Sequence, residues 1–242
     1  MPALIIAAAD AILSDIESRL EASGRVYKKL DLNEKLGIFL TTAADNLAAK
    51  LGTKFETLRP HITDFISFGP SIYEPHHTMD VVKRADVLQL GHAELHTIDL
   101  GGASAPATLE LARRIVQDEG RLVLIAGSEV PRGGPGGVQY YREVSDALLN
   151  KTTELHTQAN LISLYALLAD RMMFEHEISQ QHIDAITTFY RNQAVQNERA
   201  SVFQKPLKNG ELAKFLAGPY ATAMVAVATD HAAAFLVGSE KS

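Results

Sequence analysis

Residues 97–116 read TIDLGGASAPATLELARRIV. An apolar run ends in two glycines, turns through Ala-Ser-Ala-Pro, and resumes with its apolar residues at helical spacing. The next apolar run, RLVLIA at 121–126, is continuous rather than alternating, as a strand buried on both faces must be. A strand, a helix and a second strand in such close succession leave few options. The helix is a crossover between parallel strands, so the chain belongs to the α/β class.

The rest of the pattern fits that frame. The run at 3–9 reads equally as a buried strand or as the first turns of a helix. From Asn33 onward, Leu36, Leu40, Ala43, Leu47 and Leu51 form one helical stripe, stopped by Gly52. DFISFG at 64–69 predicts a strand, 78–90 a helix, 95–100 a strand, and 105–118 the helix after the Gly-Gly turn. The glycine-rich GSEVPRGGPGG from Gly127 predicts an exposed loop. Helices are then expected around 161–172, with Leu161, Leu164, Tyr165, Leu168 and Met172 on one apolar face, over 179–197, and near Asn209. AAAFLV at 232–237 predicts a closing strand. The expected architecture is a mostly parallel mixed sheet with helices, in one domain spanning 1–242, with a helical subdomain inserted at about 128–218.

Composition excludes several functions. The formal net charge of −6 argues against nucleic acid, whose phosphates need a basic face. Cysteine is absent, so there is no disulfide, thiolate metal site or cysteine nucleophile. The apolar start ends at Asp10 with no basic segment before it, and no apolar run has membrane-spanning length, so a cytoplasmic protein is expected.

At the turn Gly101–Gly102–Ala103–Ser104, glycines let the backbone approach a ligand, and the helix start offers free N–H groups to an anion or oxyanion. The same residues also make a plain tight connection with Ser104 as the helix cap. As a nucleophile Ser104 needs an oriented base, for which His156, His176 and His231 are the histidines weighed. HAELH sets His92 and His96 four apart, a metal spacing only on a helix; here the segment enters a strand, and no metal is expected. On the helix after the turn, Glu110, Arg113, Arg114 and Gln117 form a polar stripe opposite Leu109, Ala112, Ile115 and Val116, with Glu110 and Arg114 placed to pair.

Four stretches, in order, resemble the thiolase superfamily, in particular its sterol-carrier-protein-type thiolases and thiolase-like relatives. TIDLGGASAPATLELARRIV is similar to the segment that sets the thiolase nucleophile at the start of a buried helix. RLVLIAGSEVPRGG resembles the following strand and loop, and YALLADRMM with ISQQHIDAITTFYRNQAVQNERASVFQKPL resembles the loop-domain helices. TDHAAAFLVGSE resembles the strand closing the family's N-terminal half. The resemblance covers 64–240 well and 1–60 poorly, and only that half. It departs at the decisive places: glycine stands at 102 where a thiolase has its nucleophilic cysteine, and His231 stands where glycine is usual.

The resemblance implies an acetyl-CoA acetyltransferase-like protein of lipid metabolism that binds or acts on acyl-CoA without the cysteine mechanism. Coenzyme A thioester is then a ligand rather than a resident cofactor. The thioester is expected near Gly101, Gly102 and Ser104, with Arg132, Lys205 and His231 as further substrate contacts. A second reading is a non-catalytic subunit, completed by a thiolase-type partner or by self-association, with a dimer as the family's common state. A third is an unrelated hydrolase or transferase using Ser104.

Overall fold

A computed structural model of the chain describes residues 3–68, 80–98, 104–118, 120–134, 137–154, 160–199, 205–225 and 228–239. The chain divides into two compact units, Met1–Pro135 with Thr229–Ser242, and Gly136–Ala228. The sequence sets the helical insertion at about 128–218.

The first unit is built on a five-stranded sheet. Its strands are β1 (Ala3–Ile12), β2 (Asp64–Phe68), β3 (Glu94–Ile98), β4 (Val123–Glu129) and, last in the chain, β7 (His231–Ser239), in the order β1-β7-β4-β2-β3. β2 runs parallel to β3 and β4, whereas β7 is antiparallel to both β4 and β1. The ambiguous run at the start is therefore a strand, and the helix begins only beyond it, as α1 (Leu13–Glu21).

Helix α2 (Leu32–Lys50) covers one face of the sheet. Asp31 begins it: its carboxylate accepts from the Glu34 amide at 2.8 Å, and Glu34 accepts from the Asp31 amide at 3.0 Å. A cap of this kind contributes about 1 kcal/mol. Phe39, Leu40, Ala43 and Leu47 from α2 pack with Phe65, Leu124, Ala234 and Leu236 from the strands. The short α3 (Phe55–Leu58) and α4 (Asp80–Leu88) flank the same face. On the other face, α5 (Ser104–Ile115) lays Ala112, with Val116 just beyond it, on Ile66, Val123, Ile125 and Val237. Each large side chain buried in this way is worth about 1.5–3 kcal/mol.

The expected exposed loop after residue 126 is a correction. Gly127–Glu129 continues β4, and Ser128, Val130 and Pro131 are buried. β7 supplies the ladder partners that keep the strand going, with Gly127 opposite Ala233 and Glu129 opposite His231. Glycine is required at 127, because a Cβ there would run into the Phe68 carbonyl oxygen, and Arg84, which donates to that oxygen at 2.8 Å, would lie 3.3 Å away.

The second unit holds α6 (Gly137–Leu148), α7 (Leu161–Glu175), α8 (Gln180–Val195) and a small antiparallel hairpin, β5 (Phe215–Ala217) with β6 (Tyr220–Ala221). Asn160 caps α7 by accepting from the Ser163 amide at 2.9 Å. No helix forms near Asn209; turns lead from there into the hairpin, which Gly218 closes at φ +51°.

Candidate functional site

The parallel strands β2, β3 and β4 end together at Phe68, Ile98 and Glu129, the edge from which α5 departs and at which β7 begins. Ser104, the first residue of α5, is 3% exposed. One turn on, the buried Thr108 hydroxyl donates to the Ala105 carbonyl at 2.7 Å. Along β4 and β7, Ile125, Phe235 and Val237 pack with the α5 cluster, so strand alternation sets Glu129 and His231 on that same face. His231 is exposed, and its Nδ1 lies 2.8 Å from the Thr229 carbonyl oxygen. Gly101 and Gly102 lie outside the described residues, as do His76, His77 and His156. His176 belongs to the other unit, where it follows α7.

Arg132 is exposed, and its backbone amide is bonded to a buried carboxylate. The buried Asp230 accepts through Oδ1 from the Arg132 and Gly133 amides (2.7 and 3.1 Å) and through Oδ2 from the Tyr27 hydroxyl (2.7 Å). Lys35, buried at the start of α2, donates to the Gly133 carbonyl at 2.8 Å, with its ammonium 5.4 Å from the Tyr27 ring centre. Burial, and then the bond to Asp230, push the Tyr27 phenol well above its ordinary pKa. A Cβ at Gly133 would strike the Tyr27 hydroxyl and sit 3.0 Å from Asp230 Oδ2. Sequence reading missed this clasp, because its members lie some two hundred residues apart; the Asp of TDHAAA is the only local signal.

The two histidines of HAELH part company. His92 Nε2 lies 3.2 Å from the Arg59 carbonyl, whereas His96, on β3, lies 3.1 Å from Asp64 Oδ1 and 4.0 Å from Glu94 Oε1. Arg121, just before β4, bridges Asp64 and Glu94, the latter at 2.7 Å. These bonds, Glu94 first and then Asp64, raise the guanidinium pKa further. On α5, Glu110 accepts from both Arg113 (2.7 Å) and Arg114 (2.9 Å), one arginine more than the spacing predicts. Those hydrogen bonds lower the Glu110 pKa to about 2.

The second unit contains an apolar cavity of about 660 Å³. Tyr165, Leu168 and Met172 of α7 line it with Ile183, Ile186 and Tyr190 of α8. The apolar face expected on α7 is real but remains open: Tyr165 is 60% exposed, whereas the buried residues of α7 are Ala166 and Ala169. Lys205 is exposed in this unit, its carbonyl 3.4 Å from Arg191 Nη1.

No family model matches the sequence, and no curated protein matches it either. The architecture is decisive: the chain has the thiolase fold. It superposes with TM-score 0.62 and 16% identity on a monomeric SCP2-thiolase-like protein type 1 from Mycobacterium smegmatis, over 99% of this chain and 46% of that one. An acetyl-CoA acetyltransferase from Syntrophomonas wolfei gives 0.59 at 14% identity, over 99% and 65%. The Acat5 thiolase from Ascaris suum, solved in complex with coenzyme A, gives 0.59 at 13%, over 99% and 66%. The chain thus spans about half to two thirds of the length of these relatives. Among the described residues, no helix is long and apolar enough to cross a membrane.

Proposed function

We propose that this chain binds an acyl-CoA thioester in a thiolase-type framework without forming a covalent acyl-enzyme. The observation that carries the reading is the cavity of the second unit. Its size falls within the range of small-molecule pockets, and its lining of leucine, isoleucine, methionine and tyrosine suits an acyl chain or the less polar part of pantetheine. The sequence contains no cysteine, so a thiolate cannot attack the thioester, and an unassisted serine hydroxyl is a far weaker nucleophile. In this reading the thioester carbonyl is polarised by hydrogen-bond donors and no covalent bond to it forms.

The test is calorimetric titration of the purified chain with acetyl-CoA and with decanoyl-CoA. Micromolar binding that is tighter for the longer chain is expected. A well-folded chain that binds neither at millimolar concentration overturns the proposal.

A second reading is a non-catalytic assembly subunit that associates with a second copy or with a thiolase-type partner. It is favoured by Leu4, Ile5 and Ile6, large apolar side chains left exposed on β1, an outer strand of the sheet. The mass in solution, measured on the chain and on Ile5→Glu, decides it: an oligomer that the substitution dissociates supports the subunit reading.

A further inference from the structure

The lining of the cavity in the second unit changes character along its length. Helices α7 and α8 are joined by residues 176–179 alone. Around this connection the wall is Met172 and Met173 from the end of α7, Ile178, and Ile183 from the start of α8. None of these carries a charge or a hydroxyl. Thr187, one turn further along α8, also lines the cavity, but its hydroxyl donates to the Ile183 carbonyl at 2.8 Å. Two turns beyond Ile183 the wall becomes polar, with Tyr190 and Arg191 of α8 and Tyr165 from the first half of α7.

Arg191 has the only formal charge among the described residues that line the cavity, and none of them is acidic. It is half-buried in the wall, with Nη1 3.4 Å from the Lys205 carbonyl oxygen. The space is thus apolar at one end and cationic at the other. The geometry points to a medium-chain fatty acid, bound as its free carboxylate, as a ligand of this cavity. Its alkyl tail lies towards the helix connection and its head group meets the Arg191 guanidinium. The assignment rests on the reading of the cavity as an acyl-chain site, but not on coenzyme A.

Charge and length both favour this class. A guanidinium offers paired N–H donors that match the two oxygens of a carboxylate, and such charge-assisted bonds are stronger than neutral ones. Beside an apolar wall the cation is poorly hydrated, which strengthens its preference for an anion. Arg191 stands about 12 Å along the helix axis from Ile183, room for a chain of about ten carbons. A neutral alcohol of equal length fills the apolar end as well, but brings no charge to the guanidinium.

The full chain is to be titrated by calorimetry at neutral pH with sodium decanoate, sodium octanoate and decanol, and in parallel with decanoyl-CoA. One equivalent of decanoate is expected to bind. Octanoate should bind about tenfold more weakly or worse, because each buried methylene is worth roughly fourfold in affinity. Decanol should bind at least tenfold more weakly than decanoate, and Arg191→Gln should abolish that difference. Arg191→Lys keeps the charge and loses the paired donors; it serves if circular dichroism shows Arg191→Gln unfolded, and should weaken decanoate severalfold relative to decanol. Binding of decanoyl-CoA without decanoate overturns the assignment and leaves the acyl-CoA reading standing. Binding of decanoate without decanoyl-CoA supports it while that reading fails. Equal affinity for decanoate and decanol, or a preference that both substitutions leave intact, also overturns it, as does a wild type that shows no saturable decanoate binding.

Discussion

Replacing Asp230 by alanine removes the acceptor for three donors at once: the Tyr27 hydroxyl and the amides of Arg132 and Gly133. A hydrogen bond to a charged group contributes about 1.5–3 kcal/mol net, and a buried donor left without an acceptor loses its solvation as well. The loss is less than three times that value, because bonds that share one acceptor do not add. We expect Asp230→Ala to cost about 3–5 kcal/mol, Tyr27→Phe about 1.5–3, and Asp230→Asn about 1–2, since an amide oxygen still serves the two backbone donors. In the double mutant the two losses should not add; the coupling should reach at least about 1 kcal/mol. The chain lacks tryptophan, so unfolding in urea is best followed by circular dichroism. Hydrogen exchange at the Arg132 and Gly133 amides localises the effect to the first unit. A loss for Asp230→Ala below about 1 kcal/mol, or strict additivity with Tyr27→Phe, would refute the clasp as a stabilising element.

Other outcomes follow from the same geometry. Gly127→Ala should destabilise the first unit by about 1–3 kcal/mol in denaturant titration, because the new methyl group meets the Phe68 carbonyl oxygen. Glu110 titrates at about 2 when folded against 4.5 for an ordinary glutamate. Its ion pairs therefore stabilise the fold above about pH 4.5, and that contribution fades as the pH falls towards 2. Carboxyl NMR should find Glu110 titrating below the other glutamates, and Arg113→Gln with Arg114→Gln should return it towards 4.5. Met172→Trp, which fills the cavity of the second unit, should weaken decanoyl-CoA at least tenfold in calorimetry and leave the melting temperature nearly unchanged.

What could be read in the sequence was whatever local periodicity encodes. The helix with Leu36, Leu40, Ala43 and Leu47, the continuous run of β4, and the strand at 94–98 and helix at 104–115 all declare themselves within a dozen residues. The resemblance to thiolases added the order of elements, which the structure bears out as a fold. Where β4 ends could not be read, because glycines 127 and 133 look like loop residues until β7 and Tyr27 are placed against them. The hairpin at 215–221 hid for a similar reason: its strands have only three and two residues, too short for a pattern. His96 looked like half of a four-residue pair with His92, yet its partner is Asp64, 32 residues earlier, set opposite by strand register. The open apolar face of α7 was legible as apolar, but not as open.

The pairing of β1 with β7 carries a consequence for how the protein is made. Among the described residues, β1 finds its one neighbour in a strand synthesised more than two hundred residues later. At about 5–20 residues per second, that wait lasts on the order of ten to forty seconds. Throughout it Leu4, Ile5 and Ile6 stand on a strand with no partner on either side, while the residues of the second unit are complete before β7 arrives. The sheet therefore closes in one late step, since β7 joins β1 and β4 together. Until then the nascent chain is a substrate for holding chaperones, and any stop codon ahead of β7 leaves the facing edges of β1 and β4 unpaired.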